Sequence, residues 1–237
     1  METSPVSTEE VKGDLLKKQE KLFEEQVMET AGLTFIALLA LFGISYKYYF
    51  AQMPDFTEKY VWYVLYGILA VVANATAVYH LKAYRNAVTC MTGMMIGMTI
   101  GMISGLTFGY LIGATNGMFM GSFVGVLMGV STGAWAGKCC GIMGVMEGAM
   151  AGLMGGTMGA MTSVMLIFDH INLFTPFFIL VCIAILAGLG YLVYHEHKES
   201  EERIIKPYSF FLFFVMSLMV TTATVFIMIY GPKGGIA

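Results

Sequence analysis

The chain has 237 residues, 57% of them hydrophobic and only 12% charged, with a net charge of −3 and a mean hydropathy of +0.74. A soluble domain carries roughly 25% charged residues, so this composition excludes a water-soluble globular protein and makes the lipid bilayer the expected environment. No basic block accompanies the weak negative charge, which leaves no basis for a nucleic-acid partner.

Residues 1–30 are strongly charged and lack the apolar core of a signal peptide. Ser7, with Glu10 three residues on, forms a capping box. Leu15, Leu16, Leu22, Phe23 and Val27 then lay a narrow apolar stripe among the charges. The expectation is a cytoplasmic amphipathic helix over 7–30. It leads into the first span, or docks on the membrane surface, on the protein's own loops or on a partner subunit.

Residues 31–237 read as the transmembrane domain of an all-α bundle. A helix needs about 20 apolar residues to cross a bilayer. Runs of that kind lie at 32–50, 60–79, 91–112, 117–137, 141–168, 174–194 and 208–230, which predicts about seven spans. The block from Met91 to Phe168 is too long for one span and fits three. Its turns are expected at Gly113-Ala114-Thr115-Asn116 and Lys138-Cys139-Cys140, the polar interruptions. The charged stretch from His195 to Lys206 links the last two spans.

Orientation follows from the basic residues. With the N-terminus inside, Lys12, Lys17, Lys18, Lys21, Lys82, Arg85, Lys138, Lys198, Arg203 and Lys206 fall on the cytoplasmic side. Lys47, Lys59 and Lys233 fall outside. Cytoplasmic loops carry the excess of Lys and Arg, so the pattern predicts an inner (plasma) membrane protein with its N-terminus cytoplasmic and its C-terminus outside.

The central spans carry the strongest pattern. Glycine recurs at every fourth position from Gly93 to Gly141, and after a slip of one residue Gly144, Gly148, Gly152 and Gly156 continue the ladder. Residues 93–117 and 117–141 superimpose as a 24-residue internal repeat, GMMIGMTIG against GMFMGSFVG. Lipid gives helices no hydrophobic reason to associate, and small residues four apart let backbones approach closely instead. In a straight helix such a stripe drifts by about 40° per glycine. Either the helices cross so as to follow the drift, or each presents glycine to several neighbours. The expectation is a central glycine-zipper core of three helices, with the bulkier spans outside and homo-oligomers or subunits of a membrane complex as partners.

Methionine is the second anomaly. Fifteen of the 21 methionines lie between Met91 and Met165, so they belong to the glycine-rich spans. Met94, Met98 and Met102 stand four apart, as do Met146, Met150, Met154 and Met158. At that spacing the thioethers form a row along one helix face, and soft neutral thioethers suit Cu(I). As gap-fillers, flexible methionines also suit packing beside a glycine groove. The pairs Met94/Met98 and Met146/Met150 beside GxxxG packing resemble the Ctr-type copper transporter family. The likeness covers only these short motifs. That family has three spans and a methionine-rich extracellular tail, which this chain lacks, so it implies a shared chemistry of soft-metal passage.

Other soft ligands fall at one membrane face under this topology. They are Cys90, Cys139, Cys140, His80, His195 and His197, whereas Cys182 and His170 fall elsewhere. Thiolates and imidazoles at the end of methionine-lined helices would accept a soft cation, although no CxxC or three-histidine spacing is present. Glu147 lies about two turns inside the fifth span, where an acid is costly and functional by default. It would bind a cation, carry a proton or pair with Lys138. Asp169-His170, at the other end of that span, reads as an outer entry site or a helix end. The Asn74-Ala75-Thr76 sequon is inside a span and cannot be glycosylated. No nucleophile-and-base arrangement or phosphate-cradling loop occurs, so no enzyme is expected.

The sequence therefore predicts a membrane transporter or channel for a small cation, with Cu(I) as the specific substrate. Met94, Met98, Met102, Met146, Met150 and Met154 would form the path. Cys90, Cys139, Cys140, His195 and His197 would receive the metal, and Glu147 would supply charge. The alternative is a non-transporting glycine-zipper scaffold or accessory subunit, which predicts a dry, closed centre.

Overall fold

A computed structural model describes residues 27–45, 47, 61–84, 90–199 and 210–232. Of the helix expected over 7–30, residues 7–26 with the capping box lie outside the described residues, as do most of the lysines used for orientation, and residues 27–30 form the first turn of a membrane-length helix. Among those described, the chain is helical without strands. The helices are α1 (Val27–Ser45), α2 (Val61–Tyr84), α3 (Cys90–Asn116), α4 (Met118–Ala136), α5 (Gly141–Leu166), α6 (Ile171–Glu199) and α7 (Phe210–Tyr230). Among the described residues, six apolar helical stretches are long enough to cross a membrane. The longest, Met118–Leu166 at 49 residues, folds back on itself at the 3-10 turn Gly137–Cys140 and so contains both α4 and α5. The chain is a multi-pass helical membrane protein with a three-helix glycine core.

One turn sits where its polar residues place it, and the other does not. Lys138, Cys139 and Cys140 form the α4–α5 turn, closed by Gly141 at φ +72°. Gly113 to Asn116, by contrast, stay helical as the last turn of α3, and Gly117 alone reverses the chain at φ 93°. Asn116 can remain helical because its side chain is satisfied across the bundle: Nδ2 donates to the Ile227 carbonyl of α7 at 2.9 Å. A positive φ is costly for residues with a Cβ, so the two ladder glycines that separate the repeats, Gly117 and Gly141, are the turn residues.

From Gly97 onward the remaining ladder glycines meet in layers, one residue from α3, one from α4 or from Gly137 at its end, and one from α5. The layers are Gly97, Gly137 and Gly144; Gly101, Gly133 and Gly148; Gly105, Gly129 and Gly152; Gly109, Gly125 and Gly156; and Gly113, Gly121 and Ala160. The residue numbers rise together in α3 and α5 and fall in α4, so α4 runs antiparallel to the other two. A Cβ built on Gly101 would stand 2.6 Å from the Gly148 oxygen and 2.9 Å from the Gly133 Cα. One on Gly129 would stand 2.7 Å from the Gly152 oxygen and 2.8 Å from the Gly105 Cα. These obstacles are backbone, which cannot swing aside. Each stripe therefore faces two neighbours, the second of the two outcomes expected from its drift. The one-residue slip has a cause as well. Gly141 is spent on the turn, and the packing phase of α5 restarts at Gly144.

A second row extends the α3–α5 seam. Gly155 lies against the Met102 carbonyl and Gly159 against that of Leu106. The opposite side of α3 is packed by side chains. Ile96 and Ile100 join Leu81 and Val193, Ile103 joins Cys182 and Leu186, and Tyr110, Leu111 and Ile112 join Val64, Ile68, Ile179 and Met228. Helices α2, α6 and α7 thus cover the core from the side of α3. Among the described residues, nothing covers the outer faces of α4 and α5.

Candidate functional site

The predicted path methionines lie on the open side. Met98, Met102, Met146, Met150 and Met154 are exposed, and Met94 is half-buried. The geometry of α5 gives the reason. Met146, Met150, Met154 and Met158 each follow a core glycine by two residues, about 200° around the helix, which turns the row away from the seam. Among the described residues of one chain these side chains face outward. They form an apolar outer surface, continued on α4 by Phe119, Phe123 and Leu127.

Glu147 is half-buried on the same helix, between Met146 and Gly148. It has no ion partner among the described residues, Lys138 included. Six residues beyond the start of α5 place it roughly 9 Å along the helix axis. Asp169 and His170 stand exposed at the other end of α5, with 3.9 Å between Oδ1 and Nδ1.

The three thiols at the start of α3 and in the α4–α5 turn do come together. Cys140 Sγ donates to the Cys90 carbonyl at 2.8 Å and lies 3.7 Å from Cys139 Sγ, and the Cys139 thiol reaches the Ala136 carbonyl at 3.4 Å. The turn brings them there by folding the α4–α5 corner over the first residues of α3. His195 lies near the end of α6, exposed, with its ring 6.5 Å from that of Tyr191. His197 is in the same helix, and its side chain lies outside the described set. Cys182 is buried against Ile103 and Leu186. Among the described residues, no group of three or more His, Cys, Asp or Glu side chains is arranged to hold a metal ion.

Two polar features lie outside the residues predicted for the site. The first is a seam of hydroxyl and amide groups through the bundle. Asn74 Nδ2 donates to the Ala70 carbonyl at 2.8 Å and contacts Thr107 Oγ1 at 3.3 Å, joining α2 to α3. Ser104 and Thr132 hydroxyls meet at 2.5 Å and join α3 to α4. Such bonds hold helices where lipid offers no competing partner. The only sequence signal was polar residues within apolar spans, and Asn74 lay in a sequon meaningless at that depth. The second is a cleft of about 250 Å3 lined by Trp62, Tyr63, Tyr66, Asn172 and Thr175, at the end of the bundle opposite the thiols. No local pattern announces it, because its walls come from the starts of α2 and α6.

No protein-family model, curated protein or solved structure matches the chain.

Proposed function

We propose that this protein is a non-catalytic, non-transporting membrane scaffold, an assembly or accessory subunit whose open α4–α5 face seats neighbouring membrane helices of a larger complex or of further copies. One observation carries the reading: backbone meets backbone through successive layers of α3, α4 and α5, while the methionine rows point outward. A centre closed by main-chain contact leaves no room for a hydrated ion. A surface of methionine and phenylalanine adapts to several apolar partners. The lysine and arginine bias supports a plasma-membrane location with the N-terminus cytoplasmic.

A second reading keeps the small-cation channel, with Cu(I) as its cargo, and moves the path to the interface between chains. It draws on the meeting of Cys90, Cys139 and Cys140 at one end of the methionine-bearing helices. The two readings part in proteoliposomes. The scaffold reading expects Cu(I) and potassium fluxes equal to those of empty vesicles. Cu(I) flux that falls in a Met150→Leu/Met154→Leu variant would overturn it and establish the intersubunit path.

A further inference from the structure

We propose that the cleft lined by Trp62, Tyr63, Tyr66, Asn172 and Thr175 is a binding site for a zwitterionic choline headgroup, a quaternary ammonium joined to a phosphodiester.

Three aromatic residues of α2 line one side of the cleft, and the first turns of α6 supply the amide and hydroxyl on the other. Aromatic faces attract cations through the ring quadrupole, and cages of such rings recognise quaternary ammonium groups, which cannot donate hydrogen bonds. The polar groups supply the complementary half. The Trp62 indole N–H, the Tyr63 and Tyr66 hydroxyls and the Asn172 amide have no hydrogen-bond partner among the described residues. They are free donors for phosphate oxygens.

Thr175 has a different role. Its hydroxyl donates to the Ile171 carbonyl at 2.7 Å, so the 3.0 Å contact with Tyr110 is donated by the phenol. Thr175 is therefore tied to α3, and Tyr110 behind it stacks on Phe178 at 4.5 Å. These contacts fix the back wall before any ligand arrives.

Charge selects the ligand. The five lining residues are tryptophan, tyrosine, asparagine and threonine, so among the described residues the cleft wall offers neither the anion that a bare metal ion needs nor the cation that a purely anionic headgroup needs. A ligand carrying its own opposite charges fits. The cleft is also smaller than the roughly 300–1,000 Å3 of a drug-sized pocket, which suits a headgroup with its acyl chains outside. Trp62 and the tyrosines stand at the beginning of a membrane-crossing helix, the depth at which headgroups lie.

The ordinary alternative is an aromatic belt that contacts every lipid alike, and the test separates the two. The sequence has two tryptophans, so a Trp135→Phe background leaves Trp62 as the sole indole reporter. The full chain, purified in a choline-free maltoside, is titrated with dihexanoyl-phosphatidylcholine, dihexanoyl-phosphatidylglycerol and free phosphocholine. The expected result is saturable change in Trp62 emission with the choline lipid and none with the glycerol lipid. Tyr66→Ala and Asn172→Ala should each weaken binding by about three- to tenfold, the scale of one cation–π or hydrogen-bonding contact. Tyr66→Phe, which keeps the ring, should retain most of the affinity. Saturation by phosphocholine as well marks a site open to the soluble headgroup, and saturation by the lipid alone marks a lipid site; both support the assignment. Equal responses to the two lipids, no saturable response, or unchanged binding in both alanine variants would overturn it.

Discussion

The two faces of α3 are held by opposite means. Toward α4 and α5 the helix offers Gly97, Gly101, Gly105, Gly109 and Gly113, and the partners' main chains fill the space a side chain would take. Toward α2, α6 and α7 it offers Ile96, Ile100, Ile103, Tyr110, Leu111 and Ile112, all buried in side-chain clusters. The first face gains close van der Waals approach and loses it to any added atom. The second gains interdigitated volume and loses it to any removed atom. In lipid, both mechanisms work without a hydrophobic drive, because each depends on filling space better than acyl chains do. The contrast also bears on function, since a helix face closed by backbone cannot line a water-filled path.

The most severe break in this contrast is addition on the glycine face. Gly152→Leu places a branched side chain where a Cβ alone already overlaps Gly129 and Val130. We expect loss of the native fold, more than about 4 kcal/mol, read as the absence of a cooperative transition when SDS is titrated into the detergent-solubilised protein. Gly152→Ala should cost about 1–3 kcal/mol as an overpacked substitution.

Removal on the opposite face should come next. Tyr110 is fully buried, stacked on Phe178 and bonded to Thr175, so Tyr110→Ala should destabilise by about 3–5 kcal/mol. Tyr110→Phe keeps the volume and should lose only about 0.5–1.5 kcal/mol with the hydrogen bond. If the two variants unfolded alike, the bond rather than the packing would hold this face.

The polar seam is a smaller term. Asn74→Ala removes the α2–α3 bond, and membrane interhelical bonds average about 0.6 kcal/mol with a maximum near 1.7. The Oδ1 of Asn74 is buried without a partner among the described residues, which lowers the expected loss toward the small end. A double-mutant cycle with Thr107→Val isolates the pair.

The smallest effects belong outside both faces. Met150→Leu with Met154→Leu should change stability by less than about 0.5 kcal/mol, because both side chains are exposed. Gly188→Ala on α6 has no atom within 4 Å of the added Cβ, and should be neutral or stabilising by up to about 1 kcal/mol. A cost above 2 kcal/mol at Gly188 would mean that its face is already occupied by a partner helix.

The core was legible because glycine periodicity and helix periodicity nearly coincide, so the stripe could be read directly as a face. The methionine rows were equally periodic, and their direction was available too. Met146 to Met158 follow the core glycines by two residues, a spacing that points away from the seam. Periodicity says that residues share a face, and only the phase relative to a known contact says which face. The α3–α4 turn was misplaced for a related reason. Thr115 and Asn116 look like loop residues, yet Asn116 finds its acceptor on α7, 111 residues away in sequence. The aromatic cleft and the meeting of Cys90 with Cys140 depend on long-range contacts of the same kind, which no local pattern records.

The α3–α4–α5 seam is expected to be dry. This is tested most directly by replacing Cys90, Cys139, Cys140 and Cys182 with serine and introducing Ser104→Cys or Thr132→Cys, the two positions that meet at 2.5 Å across the seam. Each variant is then treated in intact membranes with a small, charged, membrane-impermeant thiosulfonate. No modification is expected at either position until the protein is unfolded with SDS. Rapid modification of the folded protein would reveal water inside the seam, and would contradict both the closed core and the scaffold reading built on it.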